Sequence, residues 1–261
     1  MTRTAKFWLG FFVVFAFCVL LSPLFLLLFE DPFISQSFAY GNGGLLHLGY
    51  DYIGRPILPQ LLVGGKDLLL ASLLTALISR VLGLLVGVFL ANHRRLAKVF
   101  RFFLDVLLVI PSTVAALAAY DAFSGSVYAV IPITTILSIP FTSRYYESNV
   151  RRILDSTFYE YAQLKEKRKL KLLWQEIIPI LSKNILTDMS SSFISSIYMI
   201  SSVSFISSQM DSRSFLWPKM VSENLSGFSL NPWASLAPLL AIVLLSAPLS
   251  FFVDAIERGK T

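Results

Sequence analysis

The sequence has little of the chemistry on which disulfides, metal sites and nucleotide hydrolysis depend. Cys18 is the single cysteine among 261 residues and lies inside an apolar run, so the chain can form neither an internal disulfide nor a Cys/His metal cluster. The nucleotide-binding pattern Gly-x-x-x-x-Gly-Lys-Ser/Thr is also absent. We therefore expect no catalytic centre, bound metal or cofactor in this chain, and no ATP hydrolysis by it.

Charged residues are scarce outside a few short stretches. Hydrophobic residues make up 55% of the chain and the mean hydropathy is +0.68, which is typical of a polytopic membrane protein and leaves no room for a separate soluble domain of ordinary size. The net charge of +6 would suggest nucleic acid in a soluble protein. Because the basic residues lie in loops between apolar runs, we expect membrane lipid and no nucleic acid as partner.

Six apolar runs are long enough to cross a hydrocarbon core of about 30 Å as helices. The first is too long for the apolar core of a signal peptide and is interpreted as a retained span, with Pro23 ending or kinking its helix. Seventeen of the 22 Lys and Arg residues then lie on one side, which predicts a cell-membrane protein with both termini cytoplasmic. The chain, 1–261, is thus predicted to be one all-α transmembrane domain with spans at 7–29, 67–91, 102–120, 127–143, 184–208 and 234–253.

Arg80 lies near the middle of the second predicted span. A charged side chain there costs about 2.5 to 3.5 kcal/mol on insertion scales, so Arg80 should face protein or water beside an anionic partner. Asp105 is the nearest candidate, although a carboxylate of another subunit or of a substrate would also serve. Gly83 and Gly87 form a small-xxx-small pair, which predicts close approach of a neighbouring helix.

The fifth predicted span is rich in serine and also contains Asp188. Serine hydroxyls either allow tight helix packing or line a path for a polar solute, and both interpretations hold if they apply to different faces. The residues predicted to line a translocation path or to be polar within the membrane are Arg80, Asp105, Asp188, Ser191, Ser195 and Ser202.

The long polar block at 145–183 separates the fourth and fifth spans. Leucines and Trp174 recur in it at three- and four-residue steps among lysines, which predicts a basic amphipathic helix. It is either a solvated loop on anionic lipid headgroups or a docking helix that fills a groove on a cytoplasmic partner.

Phe158-Tyr-Glu-Tyr-Ala162, followed by Ile178-Pro179, resembles the Glu-Ala-Ala motif in permease subunits of ABC importers. Tyr161 replaces the second small residue of that motif, and Glu166 replaces its turn glycine. The resemblance implies that the block is a coupling segment. Its predicted ATPase-contacting residues are Tyr159, Glu160, Tyr161, Ala162, Leu164, Glu166 and Pro179.

Further stretches in register are similar to oligopeptide, dipeptide and nickel permeases of the C type. They are Gly49-Tyr-Asp-Tyr-Ile-Gly-Arg55, Asp105 to Pro111, Ser202 to Ile206, and Asp254-Ala-Ile256. In the first of these, Asp51 and Arg55 are close enough to pair and to order the entry to the second span, which favours a structural role over substrate binding.

The resemblance implies a type I importer permease that moves peptides, nickel or a metal chelate. The implied partners are a homologous second permease, two cytoplasmic ATPases that bind ATP and magnesium, and an external solute-binding protein. Two alternatives remain: an ion-coupled secondary carrier, in which Arg80, Asp105 and Asp188 form a charge relay, and a membrane scaffold without transport.

Overall fold

The computed structural model describes residues 3–24, 34–41, 43, 48–165, 172–207 and 215–258, which form a helical bundle. Five helices are each long and apolar enough to cross a membrane. They are α1 (Arg3–Leu21), α2 (Ile57–Asn92), α5 (Val130–Leu154), α7 (Ile178–Ile206) and α9 (Trp233–Arg258). The shorter helices are α3 (Arg94–Leu108), α4 (Ser112–Ala122), α6 (Thr157–Lys165) and α8 (Trp217–Asn224). The predicted all-α polytopic fold is confirmed.

The third predicted span is not one straight helix. α3 and α4 meet at 69° across residues 109–111, because Pro111 has no N–H to donate and is itself extended at the start of α4. α3 starts beside the end of α2, whereas the end of α4 is tied to the far end of α7 by a hydrogen bond from Ser207 to Asp121. The pair therefore traverses the bundle as one broken span, and six crossings result.

Several helices extend beyond the apolar runs that predicted them. α2 begins at Ile57 rather than at residue 67, α5 continues past residue 143 to Leu154, and α7 begins at Ile178 rather than at residue 184. Hydropathy misses these turns because polar or charged residues such as Gln60, Glu147 and Ser182 interrupt the apolar runs there. α1 does end where Pro23 predicts, in a 3₁₀ turn at 22–24.

The two central helices, α2 and α5, approach closely at glycines. A Cβ atom placed on Gly87 would lie 2.7 Å from the Cβ of Tyr146, and one on Gly83 would overlap Thr142. No larger residue fits at either position without moving α5. The predicted close helix approach at this small-xxx-small pair is confirmed.

The bundle has two differently built ends. At the capped end, the described residues of 34–56 and the segment 215–232 fold over the starts of α2 and α9, and the turn at 123–126 lies at the same end. The basic end consists of residues 92–95, 155–165 and 172–177, and the end of α9. A π-helical turn, Leu173–Ile177, leads there directly into α7.

Candidate functional site

Arg80 lies in a polar cluster that joins three membrane helices. Its Nε lies 3.1 Å from Oδ2 of Asp188 on α7, and its Nη1 donates to the Thr142 hydroxyl on α5. The Tyr146 hydroxyl also donates to Asp188 Oδ2, at 2.8 Å. The side chains of Arg80 and Asp188 are 16% and 18% exposed, so this chain buries most but not all of the pair. Arg80 thus has the anionic partner that its position requires.

Asp105 is not the partner of Arg80. It pairs with Arg144 on α5, and both of these side chains are largely exposed. The expectation that Asp105 is the nearest carboxylate fails because this part of α3 lies beside Arg144 of α5, whereas Asp188 of α7 lies beside Arg80. Arg80 and Asp188 come together, whereas Asp105 belongs to a separate pair.

A second group of charges between α3 and α5 has no counterpart in the sequence analysis. Glu147 is buried and accepts hydrogen bonds from Arg101 on α3 and from Arg151 one turn further along α5. Arg151 also donates to the Leu90 carbonyl of α2, at 3.2 Å. The four-residue spacing of Glu147 and Arg151 was a detectable signal for part of this group, whereas the contact with Arg101 is long-range.

The serines of α7 divide between two faces. Ser192, Ser196 and Ser204 are buried against the bundle, as expected for close helix packing. Ser195 and Ser202 are exposed and Ser191 is half-buried, so these three follow another stripe. The buried face fits the packing interpretation, and the path-lining interpretation of the more exposed face stays a prediction.

Ser202 of the more exposed stripe borders a cavity of about 570 Å³ between α7, α8 and α9. Its walls are mainly apolar, with hydroxyl groups contributed by Ser201, Ser202, Ser246 and Ser250. It is an apolar recess with a few polar groups at membrane depth.

A buried cluster at the basic end holds the segment between α5 and α7 against the membrane helices. Its members are Ala91, Val150, Tyr159, Ala162, Leu172, Ile177 and Leu181, from α2, α5, α6, the π-helical turn and α7. The Ser156 hydroxyl accepts from the Tyr159 backbone N–H at 3.3 Å and so caps the start of α6. α6 is therefore packed on the ends of three spans.

The predicted ATPase-contacting residues fall on opposite sides of α6. Tyr159 and Ala162 face inward and are buried, so neither is available to a partner, which corrects their assignment as docking residues. Glu160 is exposed, as is Tyr161 at 74%. Pro179 is exposed in the first turn of α7. The Leu164 side chain and all of Glu166 lie outside the described residues.

The capped end is organised around Asp51. Its Oδ1 accepts from the backbone N–H groups of Ile53 and Arg55, and its Oδ2 accepts from Arg55 Nε at 2.7 Å and from Gln60 Nε2 at 3.0 Å. Asp51 is 0% and Arg55 4% exposed. The predicted pairing of these two residues is confirmed, and Gly54, with φ +81°, makes the turn between them.

Two asparagines connect this turn with the segment around α8. Asn231 donates to the carbonyls of Leu48 and Tyr50, and Asn224 accepts from the Tyr52 backbone N–H at 3.0 Å. Burial, and next the charge of Glu223, raises the pKa of the Tyr52 hydroxyl. The two outer segments form one hydrogen-bonded unit.

Comparison with known proteins identifies the family. Residues 82–261 match the family described as binding-protein-dependent transport system inner membrane component. The chain belongs to this family. It is therefore a membrane-embedded, multi-pass permease component of a transport system, and the resemblance noted in the sequence is confirmed. Membership also implies a solute-binding protein and further subunits of the system.

Curated relatives are permease proteins as well. The peptide transport system permease protein SapC of Escherichia coli is 26% identical over 214 residues, which cover 81% of this chain and 72% of the relative. The glutathione transport system permease protein GsiD of Pectobacterium atrosepticum is 24% identical over 216 residues, 82% and 72% of the two chains. A putative peptide transport system permease protein of Brucella suis is 23% identical over 216 residues, 82% and 73%.

Proposed function

We propose that this chain is a membrane-spanning subunit of an ATP-driven importer for peptides or a related small solute, with nickel or a metal chelate as alternatives. It works with a homologous second permease, two cytoplasmic ATPases and an external solute-binding protein. The peptide and glutathione systems of its relatives support this substrate class. The chain has no ATP-binding pattern of its own, so ATP and magnesium belong to the ATPases.

The observation that carries the proposal is the two-sided arrangement of α6. Its inward residues fix it to the ends of α2, α5 and α7, while Phe158, Glu160 and Tyr161 on its outward face are exposed among the residues that the structure describes. Exposed aromatic side chains beside a carboxylate are suited to a groove on a partner. Movement of a docked ATPase would then pass through the buried cluster to three membrane helices as a rigid-body shift.

Charge reversal on the outward face tests the docking. Glu160→Arg should reduce co-purification of the ATPase subunits at least tenfold and abolish substrate-stimulated ATP hydrolysis in vesicles, because a docked helix depends on a few residues worth about 2 kcal/mol or more each. Glu257→Arg is the matched control, since Glu257 is also an exposed glutamate at the basic end.

Equal behaviour of the Glu160 and Glu257 variants would reject docking through α6. Tyr161→Arg provides an independent test on the same face and should act like Glu160→Arg. Ala162→Arg is a poorer probe, because an arginine there would break the buried cluster as well as any contact with a partner.

The orientation is proposed from the distribution of basic residues, which puts the basic end and both termini in the cytoplasm. In a Cys18→Ser background, Ser124→Cys or Ser226→Cys should react with a membrane-impermeant thiol reagent on intact cells. Gln163→Cys should react only after lysis. Labelling of Gln163→Cys from outside would reverse the orientation.

The ion-coupled carrier is tested by its energy source. Uptake into vesicles that contain the assembled transporter should require internal ATP and persist when an ionophore dissipates ion gradients. Uptake that follows a gradient without ATP would favour a relay through Arg80 and Asp188 instead. Mass spectrometry of the molecule retained by the external binding protein would identify the solute.

A further inference from the structure

Oppositely charged side chains pair along the seam between α3 and α5. Asp105 pairs with Arg144, and one turn nearer the basic end Arg101 pairs with Glu147. From the first pair to the second, the residue number decreases on α3, from 105 to 101, and increases on α5, from 144 to 147. The two helices therefore run antiparallel. Each charge on this part of the seam has a partner of opposite sign.

At the basic end of the bundle, the pairing of opposite charges between α3 and α5 stops. Continuing the same antiparallel register places Lys98 and Arg95 of α3 beside the last turn of α5, which carries Arg152. We call Arg95, Lys98 and Arg152 the seam cations. All three are exposed, and in the described part of the chain none has a carboxylate oxygen within 4.0 Å. The positive charges of the seam cations repel one another, and an anionic ligand would relieve that repulsion.

An apolar surface adjoins these cations on α3. Val99, Phe102, Phe103 and Val106 are each more than half exposed, and they lie on the side of the helix turned away from α2 and α5. Phe102 lies one helical turn beyond Lys98, toward the membrane interior. The seam cations therefore lie next to an exposed apolar strip of α3, formed by Val99, Phe102, Phe103 and Val106, that extends toward the membrane interior.

We infer that the seam cations bind the phosphate of an anionic phospholipid whose acyl chains lie along Val99, Phe102 and Val106. Basic recesses between membrane helices are suited to such headgroups, and one lipid molecule contacts both parts of the surface. An acidic protein segment in the water phase would reach the cations but leave the apolar strip uncovered. The lipid would bridge α3, which ends at the break in its span, to α5.

The inference is tested with spin-labelled lipids and the full chain assembled with its partner subunits in phosphatidylcholine vesicles. The wild type should select spin-labelled phosphatidylglycerol over phosphatidylcholine. Arg95→Gln/Lys98→Gln should lower that selectivity about fivefold per cation removed. Arg152→Gln, on the other helix of the seam, should lower it about fivefold by itself. Arg3→Gln/Lys6→Gln is the control, because it removes two exposed cations of α1 from the same end.

Unchanged selectivity in the seam variants, with thermal unfolding like that of the wild type, would overturn the inference. So would an equal loss in the α1 control, which would indicate a diffuse effect of surface charge. If the seam variants keep the lipid preference but lose co-purifying ATPase, the cations bind a protein instead. A selective loss in both seam variants, with assembly intact, supports the lipid site.

Discussion

Two buried or half-buried ion pairs show how differently this protein uses charge at its capped end and in its membrane core. Asp51 and Arg55 are four residues apart in one turn, and four N–H donors satisfy the carboxylate. Arg80 and Asp188 come from different helices and are not fully buried by the chain. The first pair is a closed local unit, whereas the second exists only if α2 and α7 keep their relative position.

The difference between the two ion pairs indicates which part of the protein is rigid and which part can move. A fully desolvated carboxylate with several donors is costly to release, so the turn at 51–55 holds the entry to α2 in place. An interhelical pair that the chain does not fully bury is released at lower cost than a fully buried one. The core pair is thus compatible with helix movement during transport, and the capped end opposes it.

The largest expected effect comes from Asp51→Ala. It leaves the Arg55 guanidinium buried without its carboxylate and removes the acceptor of three further N–H groups, so we expect a loss of about 3 to 5 kcal/mol in unfolding free energy. Thermal unfolding in detergent measures it. Asp67→Ala, which removes an exposed carboxylate that accepts from Tyr128, is the control and should cost less than about 1 kcal/mol. Equal costs would contradict the comparison.

Arg80→Leu should have an intermediate effect of about 1 to 3 kcal/mol, because Asp188 is not fully buried and keeps the Tyr146 hydroxyl as a donor. The double variant Arg80→Leu/Asp188→Leu should recover much of that loss, since neither charge is left alone. Unfolding of the four proteins in this mutant cycle gives the coupling energy. Additive losses, or wild-type stability of Arg80→Leu, would mean that the arginine simply reaches toward water.

Tyr146→Phe should have the smallest effect, about 0.5 to 1.5 kcal/mol, because it removes one hydrogen bond to Asp188 and keeps the ring against Gly87. The same substitution in an Asp188→Leu background should cost nearly nothing. If the cost persists there, the Tyr146 hydroxyl has a role apart from the core pair.

The sequence predicted the elements whose signals are local. Six apolar runs gave six crossings, Gly83 and Gly87 marked the closest helix approach, and the spacing of Asp51 and Arg55 indicated their pairing. Each of these signals lies within a few turns of one helix or loop, where periodicity and spacing determine which groups meet.

The prediction failed where the answer depended on how separate helices face one another. Asp105 was chosen for Arg80 by order along the chain, but α3 places it beside Arg144 of α5, and α7 brings Asp188 to Arg80. Ala162 was assigned to a partner because it matches a family motif, but the folded segment turns it inward. Hydrophobic periodicity predicts which residues share one face of a helix, but it does not predict which neighbouring helix that face contacts.

The accessible serines of α7 determine what kind of hydrogen bond this surface can still make. Ser195 donates its hydroxyl proton to the Ser191 carbonyl, and Ser202 donates to the Tyr198 carbonyl. With the proton committed to the backbone, each oxygen presents only lone pairs outward. A polar solute that moves along this stripe meets acceptors and must supply its own donors, as an ammonium group or an amide N–H does.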